Sequence, residues 1–410
     1  MDLIDIVFLI YTFAGLYMLS LFFFVYILNR KKIFEHPKCK LEPVSIVIPC
    51  YNEAEHIGKT LECLQKLDYP QSLIEIIIVD DCSKDNSIEI IKKYIAKFKN
   101  IMLITSKKNS GGAAIPTNIG IKSAKSKYAI TLDAETYPDP GSIKKMLGLL
   151  QEDEKVAAVT GSILTRHQNS WIQKMQAIEY DITSLFRKIL DLVDSVYVTP
   201  GAFAMYRKEA VIKAGLFDPS NLTQDIEMVW RLLSKGYKAR MSLAAKAHTE
   251  TPYKFKDWWN QRNRWNIGGT QTLLKYKSLI FKKGMLGNFI IPYFAISLIL
   301  SILGIFLFIF MIIKNISIYY LVTKYSLFAS ASLLTLRDLA VAPSIMSYFG
   351  IALFILGLWM TFFSLGIMRY LEPKKRNVLN IIMFLFIYSF IYPLIMIDSK
   401  SKMIRGIYKW

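Results

Sequence analysis

Two long apolar blocks, residues 3–29 and 287–397, constrain this chain more than anything else in it. The first is nearly uncharged and the second mostly apolar; stretches of that kind hide their surface in lipid, and there each can only be helical, because lipid offers no partner to an open backbone. The first block runs directly into Arg30, Lys31 and Lys32 and shows no small-residue cleavage site, so it reads as a span and not as a signal peptide. Within the second block, spans are expected near 288–313, 345–371 and 378–397. Residues 316–340 are interrupted by Lys324, Arg337 and Asp338 and suit either a further span or an interfacial segment. Lysines 275, 277, 282 and 283 precede the second block, which puts everything between the blocks in the cytosol. A basic tail (Lys400, Lys402, Arg405, Lys409) prefers the same side and so favours five spans, against the outward placement this would give Lys374, Lys375 and Arg376.

What lies between the blocks is large enough for one soluble domain, since the chain has 410 residues. Its formal net charge of +19 suits anionic headgroups and polyanionic substrates. Nucleic acid is not an expected partner, because the charge is dispersed and membrane blocks flank the domain. Cys39, Cys50, Cys63 and Cys82 have neither paired nor metal-ligand spacing and read as free thiols.

From Glu42 the pattern alternates strand and helix: Val44–Ile48 then 54–66, Ile74–Val79 then 84–98, Ile101–Ile104 then 117–125, and Tyr128–Leu132 then 141–151. Such alternation predicts an α/β domain with a mostly parallel sheet. Each strand stops at polar residues: Pro49, Tyr51, Asn52 and Glu53; Asp80 and Asp81; Ser110, Gly111 and Gly112; Asp133 and Glu135. Ligands of open α/β sheets bind beyond the strands' carboxyl ends, so these four ends outline one nucleotide-sized cleft. Asp80 and Asp81 could accept hydrogen bonds from a base or ribose, and the glycines would let backbone approach a phosphate; capped turns would also account for both. Asp133 and Glu135, separated by small Ala134, are two convergent carboxylates of the kind that Mg²⁺ or Mn²⁺ on a diphosphate needs, though an acidic turn is the simpler alternative.

The order VSIVIPCYNEAEHI, IIIVDDCSKDNS, NSGGAAIPTNIGIKSAKSKYAITLDAET, SVYVTPGAFAMYRKEAVIKAGLFDP, TQDIEMVWRLLSKGYK and WWNQRNRW resembles membrane-embedded family 2 glycosyltransferases, over about Val44 to Trp265. Processive synthases of cellulose, hyaluronan, chitin and poly-N-acetylglucosamine are of this type. The resemblance implies a GT-A fold and an inverting, metal-dependent transfer from a UDP-sugar to a growing polysaccharide at the plasma membrane, with export through the spans or an unknown partner. It also implies roles: Pro49, Tyr51, Glu53, Asp80, Asp81, Gly112 and Asp133 at the donor, Asp133 and Glu135 at a metal, Asp225 as base, and Gly201, Gln261, Arg262, Arg264 and Trp265 at the diphosphate or acceptor. Two other functions remain open, single addition to a polyprenyl phosphate or other lipid, and a nucleotide-sugar sensor or transport subunit without turnover.

This chain departs from the family pattern at three places. Glu135 stands where an aspartate is usual, Ala113 replaces a lysine and Pro116 a small residue in the glycine-rich segment, and Thr-Gln-Asp (223–225) replaces Thr-Glu-Asp. Asp225 is also placed to complement the dipole of a helix running to Lys235 and stopping at Gly236. Trp258, Trp259 and Trp265 can stack on sugars or mark an interfacial helix. Residues 171–192 carry an apolar stripe (Trp171, Met175, Ile178, Ile182, Leu185, Ile189, Leu192) for the core or for the span bundle. The expected organisation is 1–30 span, 42–250 catalytic domain, 251–287 interfacial segment, 288–397 spans and 398–410 basic cytosolic tail.

Overall fold

The computed structural model describes residues 3–328, 345–373 and 376–408. Its elements are, in order, α1 (Leu3–Asn29), β1 (Val44–Cys50), α2 (Ile57–Gln65), β2 (Ile74–Asp80), α3 (Ser87–Ile95), β3 (Ile101–Thr105), α4 (Ala114–Ser123), β4 (Tyr128–Leu132), β5 (Thr136–Pro138), α5 (Ser142–Glu152), β6 (Val156–Thr165) and α6 (Trp171–Asp191). There follow β7 (Phe203–Arg207), α7 (Lys208–Ala214), α8 (Gln224–Ser234), β8 (Lys238–Thr249), α9 (Phe255–Tyr276), α10 (Ile291–Phe328), α11 (Ile345–Leu371) and α12 (Val378–Ile404).

One sheet carries the domain, in the order β3-β2-β1-β4-β7-β6-β8-β5. The first four strands pair in parallel, as their alternation with helices predicts. Beyond β4 the sheet turns mixed: β7 is antiparallel to both β4 and β6, β8 is parallel to β6, and β5 is antiparallel to β8. Strands β5 to β8 had no place in the sequence pattern; with them the sheet is mixed, four of its seven pairings being parallel. Helix α4 begins at Ala114, three residues earlier than its apolar spacing predicts, because Pro116 is tolerated in a first turn whose N–H groups need no partner. Helix α8 ends at Ser234, with Gly236 at φ +87° reversing the chain.

Four helices among the described residues are long and apolar enough to cross a membrane: Ile4–Lys32, Leu286–Phe328, Tyr348–Leu371 and Val378–Ile404. The break expected near residue 316 does not occur. A π-helical turn, Leu286–Ile290, leads into α10, and together they make a 43-residue helix of about 65 Å, far longer than a hydrocarbon core of about 30 Å. Residues 329–340 of the weak fifth-span segment, with Arg337 and Asp338, lie outside the described residues, as do Lys374, Lys375 and Lys409. The expected tail is a second difference, since α12 runs through 398–404 and its polar end docks on α9: Asp398 accepts from Trp259 Nε1 (2.8 Å) and Asn263 Nδ2 (2.9 Å), and Lys400 donates to Thr270.

The stripe on α6 serves both of its expected surroundings. Met175 and Ile178 pack with Leu365, Ile381 and Phe384 of α11 and α12, while Leu185 and Ile189 join the core beneath the sheet together with Phe22 of α1. Trp171, at the helix start, is exposed instead.

The start of α8, where Asp225 sits, is clamped to α9. Leu222 N–H donates to Gln271 Oε1 (3.1 Å), Asn221 Nδ2 to Thr272 Oγ1 (2.9 Å), and Gly268 lets the two backbones meet. A Cβ on Gly268 would stand 2.3 Å from Thr223 Oγ1 and 2.5 Å from Thr223 N. Gly268→Ala is therefore expected to cost about 1–3 kcal/mol and to shift Asp225, read as a lower apparent Tm in detergent together with lost activity; an unchanged Tm would contradict the close approach.

Candidate active site

Strand ends, the start of α8 and one side each of α6 and α9 enclose a single cavity of about 1300 Å³ that continues upward among the membrane helices. Every site residue expected from the sequence lines it except Asp80 and Arg262.

The nucleotide end is a laced set of loops. Asp81 N–H donates to Cys50 O (2.8 Å), Asn52 N–H to Ser83 Oγ (2.9 Å) and Glu53 N–H to Ser87 Oγ (2.8 Å), so the ends of β1 and β2 hold each other. Asn52 takes φ 56°, which turns the chain after Tyr51 into the cleft. Asp81 is fixed by Ser110, whose N–H and Oγ both donate to its Oδ2 at 2.8 Å, while its Oδ1 is buried with no protein partner and so remains an acceptor for a ligand. Asp80 is fully buried behind it and takes Ser83 N–H on Oδ2 (3.2 Å). Asp80 thus supports the turn that presents Asp81 and, like Asp81, keeps a buried Oδ1 without a protein partner, though it does not line the cavity. Gly111 needs its φ of +75°, and Gly112 lines the cavity beside it.

Asp133 and Glu135 stand in the tight turn between β4 and β5. Thr136 N–H donates to Asp133 O (3.0 Å), and Thr60 Oγ1 holds Ala134 O at 2.5 Å. Burial pushes the Asp133 carboxyl up to about 6, with Arg264 pulling it down and Asp225 adding to the rise. Burial likewise pushes Glu135 to about 8, helped by Asp133, Glu53 and Glu250, and Glu53 to about 7, helped by Asp133 and Asp85. Several carboxylates crowded into one cavity fit a divalent cation. The tightest donor set among the described residues is Glu53, His56 and Glu135, whose ligand atoms all lie within 4.8 Å of one another, and His56 Nδ1 is buried without a partner. Asp133 lines the same cavity but stands outside that set, a shift from the expected pair. The longer side chain of Glu135 accounts for it by reaching toward β1 and α2. His56 and Glu250 were missed: one follows Glu53 by a single helical turn, the other follows a strand the pattern did not reveal.

Asp225 opens α8 with Oδ2 accepting Gly201 N–H (3.3 Å) and Oδ1 accepting Ile226 N–H (3.0 Å). Burial raises its pKa, and these two N–H groups and Arg264 oppose the rise. A Cβ on Gly201 would meet nothing within 4 Å, so the space beside Asp225 is open to a ligand. Arg264 lines the cavity; burial lowers its pKa while Asp225, Asp133 and Glu135 hold it charged.

Arg262 departs from its expected place. Its guanidinium is fully buried, paired with both oxygens of Glu179 on α6, donates to Gln261 Oε1 (2.5 Å) and stacks 4.0 Å from the Trp265 ring centroid. It braces two cavity residues, Gln261 and Trp265, and does not itself line the cavity where its expected diphosphate or acceptor role would put it. Trp258 is buried with Ile172 and Ile395, so it packs helices and does not face a sugar, whereas Trp265 lines the cavity.

With this geometry in place, comparison with known proteins is decisive for the domain. Residues 45–215 match the Glycosyl transferase family 2 profile. These residues are a family 2 glycosyltransferase domain. A poly-β-1,6-N-acetyl-D-glucosamine synthase of Staphylococcus aureus (strain COL) is 33% identical over 237 residues, 58% of this chain and 57% of that protein. Its Staphylococcus epidermidis counterpart is 31% identical over 252 residues, 60% and 59% of the two chains. The chain thus spans under three-fifths of the curated relatives' length. The mannosyltransferase PcManGT from Pyrobaculum calidifontis, solved with GDP-Man and Mn²⁺, superposes with TM-score 0.53 at 17% identity, covering 87% of this chain and 99% of that one. That likeness shows the fold, a GT-A-like sheet with flanking and apolar helices.

Two outcomes follow for the glycosyltransferase domain. Carboxyls raised above their unfolded values bind more protons in the folded state, so the metal-free protein is expected to lose stability as pH rises through about 6 to 8. Added Mn²⁺ should therefore raise the apparent Tm more at pH 8 than at pH 6, and Glu135→Gln should shrink the increment; a pH-independent increment would contradict this. Arg262→Ala should destabilise by about 3–5 kcal/mol, because it strands Glu179, while Arg262→Met with Glu179→Met should recover most of the loss in thermal unfolding.

Proposed function

We propose that the protein is an inverting glycosyltransferase that moves a sugar from a UDP-sugar to a growing polysaccharide at the plasma membrane. The observation that carries this reading is one cavity lined by Asp81, Asp133 and Glu135, by Asp225, Arg264 and Trp265, and by residues of the apolar helices α1, α10, α11 and α12. The names of the staphylococcal relatives favour an N-acetylglucosamine donor and a polymeric product.

In the mechanism, Asp81 and the loops around it bind the nucleoside. Asp225, its pKa raised by burial, takes the proton from an acceptor hydroxyl as that oxygen attacks the anomeric carbon from the face opposite the departing UDP. One displacement with one base inverts the configuration, and no carboxylate nucleophile is called for. Arg264 lies against the charge that develops on the leaving diphosphate, with Gln261 beside it to donate a hydrogen bond. A Mg²⁺ or Mn²⁺ ion held by Glu135 with Glu53 and His56, and Asp133 near it, would neutralise diphosphate charge. Trp265 offers a face for the acceptor sugar. The lysines before the second apolar block support a cytosolic catalytic domain, so polymer made there would leave through the spans or a partner.

A second reading, a lipid acceptor, is favoured by the apolar wall that the membrane helices give the cavity. Product size separates the two readings. Purified full-length protein in nanodiscs, given Mg²⁺ or Mn²⁺ and a panel of UDP-sugars, should release UDP and yield polymer; folded protein releasing none would overturn the glycosyltransferase reading. In the same assay with a glycan acceptor, Asp225→Asn should lower kcat about 10²- to 10⁴-fold while UDP affinity holds, since the base acts only in the transition state.

A further inference from the structure

Helix α12 is long and apolar enough to cross a membrane, yet both of its ends are bonded to the same body of protein. Just before it, Arg376 donates to Asp181 Oδ2 of α6 (2.9 Å from Nε) and to Gln168 Oε1 (2.7 Å from Nη1). At its far end Asp398 accepts from Trp259 and Asn263 of α9, and Lys400 donates to Thr270 of that same helix. The 27 residues of α12 make about 40 Å of helix, more than a hydrocarbon core of about 30 Å. A crossing would put its two ends on opposite faces of the membrane. Neither α6 nor α9 can follow it there. Leu185 and Ile189 hold α6 beneath the sheet, α9 is clamped to the start of α8, and α9 exposes Lys256 and Asp257 at one end and Lys275 at the other, charges that a bilayer core does not accept.

Both sides of α12 are apolar, and they differ in what covers them. Ile381 and Phe384 are buried against Met175 and Ile178 of α6, and Ile395 against Ile172 and Trp258. Leu379, Ile382, Phe386, Leu394, Ile397 and Ile404 recur at the helical period on the opposite side and are exposed. On that side Phe390 packs on Phe308 of α10 (4.7 Å between centroids), so the stripe is continuous with the surface of a span. An apolar stripe of this length, held along a domain by charged ties at both ends, needs an extended apolar cover.

We propose that α12 does not cross the membrane but lies along one leaflet, on the face that carries the glycosyltransferase domain. Its outer stripe sits in the boundary between headgroups and acyl chains, and its inner stripe sits on α6 and α9. The partner of this surface is the lipid leaflet itself. This placement replaces the span expected near 378–397. The chain end stays on the side of the glycosyltransferase domain, where Lys402 and Arg405 meet anionic headgroups. Tyr392 of α12 lines the cavity, so a helix seated in the leaflet supplies part of the cavity wall. None of this depends on which reaction the cavity carries.

The test uses the full chain, its four native cysteines replaced by serine, in nanodiscs of phosphatidylcholine and phosphatidylglycerol. Nitroxide labels are placed one at a time on Leu379→Cys, Phe386→Cys and Ile397→Cys, whose exposure leaves the packing untouched. Collision with oxygen against a water-soluble nickel chelate reads their depth. All three are expected at one shallow depth, about 5–10 Å into the boundary. A crossing helix would instead put Phe386 about 10 Å deeper than Leu379, and that result would overturn the proposal. Labels shielded from both lipid and water would overturn it too, as the mark of a second copy covering the stripe. A measurement on the native cysteines guards against a misfolded variant: a protease site appended after Trp410 should be cut only in sealed vesicles whose glycosyltransferase domain faces the bath. Cutting only in the opposite orientation would show that α12 crosses.

Discussion

The buried pair of Glu179 and Arg262 joins the two helices on which the rest of the arrangement depends. Helix α6 carries Tyr180, Thr183 and Arg187 toward the cavity and packs against α11 and α12; α9 carries Gln261, Arg264 and Trp265 toward the same cavity and packs against α12 and α8. A largely buried charge pair is costly to break, because either partner left alone is an uncompensated ion. The relation between donor loops and membrane helices is thus fixed where they meet. Further polar ties run the same way. Arg376, just before α12, holds Asp181 (2.9 Å from Nε to Oδ2), and Lys188 bridges Asp191 and Met241 O inside α6's other end.

Against this rigid frame the cavity itself is electrostatically unsatisfied. Glu53, Asp133, Glu135, Asp225 and Glu250 share one enclosure; burial first and repulsion from neighbouring carboxylates second raise the pKa values of Glu53, Asp133 and Glu135, and burial raises that of Asp225. Backbone hydrogen bonds determine each position too firmly for the groups to separate: the β4–β5 turn fixes Asp133 and Glu135, and the clamp between α8 and α9 fixes Asp225. Perturbed carboxylates held in place by the scaffold mark a functional site, and a divalent cation is the kind of group that relieves such crowding.

Much of this was legible in the sequence, for identifiable reasons. β4 has the residues its pattern predicts, Tyr128–Leu132, because a short uncharged β-prone run bounded by a lysine and an aspartate leaves no other choice. The first three strand–helix units follow from the same logic. Strands β5 to β8 were hidden because their burial is continuous or comes from pairing distant in sequence; β6 is buried at every position and shows no alternation. Arg262 and Trp258 were misplaced because a motif gives residue types and not the side of the helix each faces: at two residues apart, Arg262 and Arg264 point to different surroundings. Glu179 and Arg187 could not be found, since an isolated charge within an amphipathic helix looks the same whether it meets solvent, a partner or a cavity.

The departures from the family pattern become one adjustment when seen in three dimensions. Lengthening the second acidic residue to Glu135 lets its carboxylate reach the set made by Glu53 and His56 and concentrates negative charge on that side of the cavity. Gln224, where the pattern has a glutamate, lines the same cavity next to Asp225, and its Oε1 is buried without a protein partner. A carboxylate there would add one more charge to a group whose Asp133 and Asp225 are already raised, with Arg264 the cation acting on both. An amide keeps an acceptor atom at that point for a ligand hydroxyl and leaves the charge out. The chain therefore keeps an aspartate at 225, carries no carboxylate at the position before it, and places Glu135 in the candidate cation set with Glu53 and His56.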